Sequence, residues 1–463
     1  MKEGNVGMLA LLRVVVLMLV LCVSSSSSLS SSSGSYFEQK QNRRKSLVPT
    51  QTTSSLTLNR VGSSIVFPVH GNVYPIGFYN VTLNIGQPSK PYFVDPDTGS
   101  DLTWLQCDAP CAHCTKTLHP LYRPSRPENK VPCKDPLCQS LHPPGEHRCE
   151  TPEQCDYELH YVDGSSTLGV LVKDDFSFNF TSGEQFKPSL ALGCGYDQID
   201  GNYPHPFDGV LGLGKGKSSI VSQLSRQGFI KNVIGHCLSV RGGGYLFFGN
   251  DLYDSSRVTW TSMSRDLPEH YSPGYAELIY GGKTTGIKNL PTVFDSGSSY
   301  TYLVSLAYNA LTSLVKKELS GRSLSEVSDD DHTLTHCWRG KKPFKSLQDV
   351  KKYFKPLALS FTNGGKAKAK FEMPPEAYLI ISRKGNVCLG ILDGGENVNG
   401  NIIGDISMQD KLVIYNNEEQ LIGWMPENCD RLPKYKTTSI SVIISTSHPC
   451  QSVFSIIKEF LLS

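Results

Sequence analysis

The sequence predicts a mainly β protein of two lobes related by an internal repeat. Three observations carry that prediction. Asp97-Thr98-Gly99 recurs as Asp295-Ser296-Gly297, each closing an apolar or extended run and each followed by a serine, Ser100 or Ser298. Each tripeptide is answered by a later apolar-Gly segment at nearly the same distance. Gly212, in Leu211-Gly212-Leu213, lies 115 residues after Asp97, and Gly404, in Ile403-Gly404-Asp405, lies 109 residues after Asp295. Short runs with period-two alternation recur along the chain, whereas helical periodicity is sparse. A chain of 463 residues is long enough for two cores.

Taken in order, residues 1–23 read as a secretory signal. Lys2 and Arg13 precede an unbroken apolar run over 14–23, too short for an ordinary membrane span. Residues 24–70 read as a leader or prosegment. Ten serines crowd 24–35, a composition that cannot bury enough apolar surface to fold alone, and Lys40 with Arg43-Arg44-Lys45 follows. The first lobe is expected over 71–262. There Tyr79, Val81, Leu83 and Ile85 alternate with Phe78, Asn80, Thr82 and Asn84, and Gly86-Gln87-Pro88 makes a turn. Further strands are expected over 156–162 and 170–180. A cysteine-rich insertion needs bridges to hold a Pro-rich stretch together. The second lobe is expected over 263–430. Its clearest helix lies over 303–319, with Ala307, Leu311, Leu314 and Val315 on one face. In the tail, 431–463, Ser447-His448-Pro449 and Lys458-Glu459 break the apolar end that a lipid-anchor signal requires. It reads as a flexible extension.

A net charge of +2 gives no reason to invoke nucleic acid or an anionic membrane, and the lysines around 341–355 and 366–370 read as solvated surface. Of 14 cysteines, Cys22 falls in the signal and Cys450 in the tail. The twelve between them are Cys107, Cys111, Cys114, Cys133, Cys138, Cys149, Cys155, Cys194, Cys237, Cys337, Cys388 and Cys429. Cys107, Cys111 and Cys114 with His113 have the spacing of a metal knuckle. Export argues instead for six disulfides and no bound metal or cofactor. Asn80-Val81-Thr82 and Asn179-Phe180-Thr181 are N-glycosylation acceptors, at Asn80 and Asn179. Gly242 to Gly249 suits a hairpin and strand better than a phosphate loop.

The paired aspartates are the candidate catalytic residues. Two carboxyls in one site cannot both ionise easily, so Asp97 and Asp295 would share one proton; one would act as base on a water, the other as acid on a carbonyl. Thr98 and Ser296 would lock the two loops through their hydroxyls. Gly99 and Gly297 would allow close backbone approach, and Ser100 and Ser298 would donate to the outer carboxylate oxygens.

These motifs, with Gly71 to Gly86, Asp97 to Cys107, Phe207 to Gly214 and Asn401 to Asp405, resemble the pepsin-type aspartic proteases, and within them the plant nucellin and nepenthesin-like branch. The resemblance covers roughly residues 71 to 430. It implies a bilobal pepsin-like fold with pseudo-twofold related lobes. It also implies a secreted, glycosylated aspartic endopeptidase, made as a zymogen, acting as a monomer on polypeptides at acidic pH in the apoplast or vacuole. The alternative is a catalytically silent homologue that binds or inhibits a partner. The same resemblance implies that Tyr161, in Tyr161-Val162-Asp163-Gly164-Ser165, closes a flap over substrate, that Trp104 holds the Tyr161 hydroxyl, and that Cys337 pairs with Cys388. Pro96 departs from the family's usual apolar residue. Asp95, two residues before Asp97, is expected to point away from the site, solvated or paired.

Overall fold

The computed structural model describes residues 57–59, 63–110, 114, 117–142, 149, 153–199, 207–363, 366–395, 399–433 and 439–441. The signal, the serine-rich stretch with its basic run, Cys111, His113 and most of the tail lie outside these residues. Two units are distinguished. In one, Thr57–Asn59 pairs antiparallel with Ser439–Ser441. The other, 61–436, is mainly β and two-lobed.

Alternation dictates the first lobe's strands. In Phe78–Ile85 the side chains of Tyr79, Val81, Leu83 and Ile85 are all buried, each contributing roughly 1.5–3 kcal/mol of transfer free energy. This strand pairs with Lys90–Asp97, which carries the first aspartate at its end. Gly209–Gly212 runs parallel to Lys90–Asp97, setting Gly212 opposite Asp97, and pairs antiparallel with Trp104–Gln106. Ser189–Ile199, Ser166–Asp175 and Asp156–His160 extend the sheet to the hairpin that bears Tyr161.

The second lobe repeats the arrangement. Leu290–Phe294 runs parallel to Asn401–Ile403, with Phe294 opposite Ile403. Thr301–Leu303 crosses antiparallel to Asn401–Ile403 at Tyr302 and Ile402. Phe294 is clamped by aromatic neighbours, with ring centroids 5.2 Å from Phe371 and 5.7 Å from Trp424. That packing fixes the strand delivering Asp295. The helix is Ser305–Leu319 and buries Ala307, Tyr308, Leu311, Thr312, Val315 and Leu319. It starts two residues later than the periodicity predicts, because Leu303 ends a strand and Val304 caps the helix.

One sheet takes strands from both ends of the chain. Lys411–Asn416 and Leu421–Pro426, late in the chain, join Val233–Leu238 and continue the first lobe's 13-stranded sheet. Residues 65–70, assigned to the leader by sequence, form most of the strand Ile65–Asn72, paired with Gly244–Phe248. Five disulfides join Cys107 to Cys194, Cys133 to Cys149, Cys138 to Cys155, Cys237 to Cys429 and Cys337 to Cys388, and Cys114 is disulfide-bonded too. Cys107 and Cys114 therefore spend their sulfurs on disulfides, not on a metal knuckle. Among the described residues no helix is long and apolar enough to cross a membrane.

Candidate active site

Each aspartate sits where a strand ends and the chain turns sharply. The turn is tied to its Gly segment: Leu213 N–H donates to Asp97 O at 2.7 Å and Gly214 N–H to Ser100 O at 2.8 Å. In the second lobe Asp405 N–H donates to Ser298 O at 2.8 Å, and Asp295 N–H to Ile403 O at 3.1 Å. The two loops then cross. Thr98 N–H donates to Ser296 Oγ at 3.1 Å, and Ser296 N–H donates to Thr98 Oγ1 at 2.9 Å. Ser296 Oγ donates onward to Pro96 O at 2.6 Å, so the proline keeps a use for its carbonyl while lacking an N–H.

The carboxyls are held as a matched pair. Gly99 N–H donates to Asp97 Oδ1 at 2.7 Å, and Gly297 N–H to Asp295 Oδ1 at 2.9 Å. Ser100 Oγ donates to Asp97 Oδ2, and Ser298 Oγ to Asp295 Oδ2 at 2.8 Å. Asp97 and Asp295 are within hydrogen-bonding reach of each other. The glycines are demanded by this approach: a Cβ on Gly99 would stand 2.7 Å from Asp295 Oδ1, and one on Gly297 2.6 Å from Asp97 Oδ1. Asp97 is 7 % exposed. Desolvation, then the charge of Asp295, raises its pKa well above the ordinary carboxyl range. One proton on the pair is the chemical state this geometry favours.

The hairpin reaches the same pair. Tyr161 N–H donates to Ser165 O at 2.8 Å, closing the turn, and Val162 at its tip is 63 % exposed. The Trp104 indole donates to the Tyr161 hydroxyl at 2.7 Å. That hydroxyl lies beside the Ser100 side chain, which donates to Asp97. Hairpin, tryptophan, serine and aspartate thus adjoin one another.

Of the predicted glycosylation acceptors, Asn179 is exposed and Asn80 half-buried on its strand. Asp95 requires a correction. It is half-buried, and desolvation followed by the charges of Asp97 and Asp295 raises its carboxyl's pKa well above the ordinary range. It belongs to the electrostatics of the pair because the extended strand, with Pro96 between, sets it on the side of Asp97. Sequence reasoning also passed over Asp405, 2 % exposed, whose pKa is raised by burial and by Asp95, Asp295 and Asp97. A charged residue ending the apolar run Ile402-Ile403-Gly404 is the signal that could have found it.

Family profiles described as xylanase inhibitor N-terminal and xylanase inhibitor C-terminal match residues 79–250 and 283–426. An aspartic proteinase of Oryza sativa subsp. japonica is 47 % identical over 392 residues, 82 % of this chain and 94 % of that protein. Aspartic proteinase nepenthesin-1 of Nepenthes gracilis is 28 % identical, covering 76 % of this chain and 78 % of that one. Among solved structures, basic 7S globulin from soybean superposes with a TM-score of 0.62 at 16 % identity, over 81 % of this chain and 99 % of that one. At that identity the likeness concerns fold alone.

Proposed function

Because this chain belongs to the pepsin-type aspartic protease family, we propose that it is an active aspartic endopeptidase working at acidic pH. The observation that carries the reading is the complete, symmetric set of donors around two carboxyls in mutual hydrogen-bonding reach. With one proton on the pair, the ionised carboxylate takes a proton from a water held between them. The hydroxide so formed attacks the peptide carbonyl carbon, and the protonated carboxyl gives its proton to the carbonyl oxygen. Collapse of the tetrahedral diol breaks the C–N bond, with a proton passing to the amine nitrogen. Tyr161, held by Trp104, closes over the substrate and limits water. The substrates are polypeptides. The signal-like N-terminus supports a secretory destination, apoplast or vacuole, and Asn80 and Asn179 are the glycan acceptors.

A second reading has one observation behind it: the matching family profiles are named for xylanase inhibitors. A silent binding protein needs neither carboxyl, yet both are present with all their donors. Incubating the acidified protein with an unfolded polypeptide decides between them. Cleavage that pepstatin abolishes supports the protease. A folded protein that cleaves nothing between about pH 3 and 7 overturns it in favour of binding.

A further inference from the structure

Under the crossed loops lies a cavity of ≈10 Å³, whose lining includes Pro96, Ser296, Tyr79, His236 and Asp405. That is about the room one water needs, provided polar partners surround it. Two lining residues supply them. His236 and Asp405 are 3 % and 2 % exposed, and Nδ1 of the first and Oδ1 of the second have no hydrogen-bond partner in the protein. Leaving both unmet would cost the fold the hydration each atom gave up on burial. An ion pair does not resolve this. Burial pushes the His236 pKa down to about 4 and raises that of Asp405 well above the carboxyl range, so both are neutral across weakly acidic pH. In either neutral tautomer Nδ1 needs a partner, as donor or acceptor, and a protonated carboxyl has both capacities. A water satisfies both atoms at once.

The opposite nitrogen leads back to the site. His236 Nε2 is 3.1 Å from the Tyr415 hydroxyl. The Tyr415 hydroxyl lies beside the Thr98 side chain, and Thr98 exchanges two bonds with Ser296. His236 belongs to Val233–Leu238 and Tyr415 to Lys411–Asn416, neighbouring strands, so their backbones hold this contact rigidly. We propose that His236 and Asp405 hold one water molecule in this cavity, and that His236 thereby acts through Tyr415 and Thr98 as a positioning residue for the two aspartate loops. The kinetic part rests on the protease reading; the water site does not.

The test has a structural and a kinetic arm. A high-resolution crystal structure of the Asp97→Asn protein, which needs no activity, should show a water within hydrogen-bonding distance of both His236 Nδ1 and Asp405 Oδ1. A dry cavity overturns the site. In the otherwise unmodified protein, Tyr415→Phe keeps the packing but breaks the path, and should lower kcat about tenfold with KM within about twofold. His236→Leu should do the same, and His236→Gln, whose amide still reaches water, should recover much of the loss. Should His236→Leu fail to fold, the Tyr415→Phe and His236→Gln results decide. Normal kcat in Tyr415→Phe, with the water in place, overturns the positioning role. A wild-type protein that holds the water but cleaves nothing leaves the site standing and removes the protease reading.

Discussion

Thr98 and Ser296 each accept the other's backbone N–H on a side-chain oxygen, so the two aspartate loops are crossed and not merely adjacent. Thr98→Val keeps the shape and deletes one acceptor, leaving a buried N–H unmet at a cost of roughly 1–3 kcal/mol. We expect a lower Tm together with a loss of kcat, since both loops lose register. Thermal melts and peptidase assays on the same preparation check it. A normal Tm with normal kcat would show the crossing to be dispensable.

Asp97→Asn and Asp295→Asn should each give a folded protein with peptidase activity reduced by about 10³-fold or more, because an amide cannot pass the proton. The raised Asp97 pKa sets the pH range: the singly protonated pair persists upward from acid pH, and activity is lost as pH rises through that raised value. A pH profile of kcat with a basic limb is the expected record. Either single variant cleaving at near-normal rate would refute the dyad.

Tyr161→Ala removes the acceptor of the Trp104 indole and a hairpin tip with little core beneath it. Activity should fall by about 10–100-fold while Tm moves by only about 1 °C. Tyr161→Phe, which loses one hydrogen bond worth about 1 kcal/mol, should lie between it and wild type. A large drop in Tm with unchanged cleavage would make Tyr161 a packing residue.

The buried acids give stability its own pH dependence. Asp95 and Asp405 ionise around pH 4 when unfolded but keep their protons when folded. Their contribution is complete below about pH 4 and is lost as pH rises toward the folded value. His236 works in the opposite sense, costing stability as pH falls below about 6.5, because it stays neutral in the fold. Asp405→Asn cannot ionise, so its Tm relative to wild type should improve by on the order of 2 °C between about pH 4.5 and 7.5. A pH-independent difference would show that Asp405 is ionised in the fold.

Protein beginning at Ser24 should be inactive near pH 7 and gain activity after brief acid exposure. The expectation is that the basic leader pairs with the ionised carboxyls and is released when they protonate. Where the leader is cut matters. Ile65, Phe67 and Val69 are buried on a strand of the sheet. Protein beginning at Ser63 should therefore be stable and active at once, whereas one beginning at Gly71 should melt several degrees lower for want of that strand. Equal activity of the Ser24 and Ser63 forms, without processing, would show that the leader does not inhibit.

What sequence made legible was local or repeated. The dyad, its serines and glycines, the alternation of Phe78–Ile85 and the periodic helix each leave a pattern within a few residues, and the tripeptides repeat. The pairing of Cys337 with Cys388 came from resemblance. Cys107 with Cys194 and Cys237 with Cys429 were not legible, because contacts between distant segments leave no period to read. Asp95 was misjudged for a related reason: its surroundings are set by Asp97 and Asp295, one of them in the other lobe. His236 and Tyr415 sit in apolar strands and gain meaning only once those strands are side by side.

The shared sheet also imposes an order of events on the ribosome. Val233–Leu238 acquires Gly244–Phe248 almost immediately, but its other edge is completed only by Lys411–Asn416. At roughly 5–20 residues per second, that edge stays open for about 10–35 s of synthesis. Throughout it presents unpaired backbone groups and the thiol of Cys237, whose partner Cys429 emerges 192 residues later. The first lobe is thus translated early but sealed last. Closing that edge and bridging Cys237 to Cys429 both wait for the final strands.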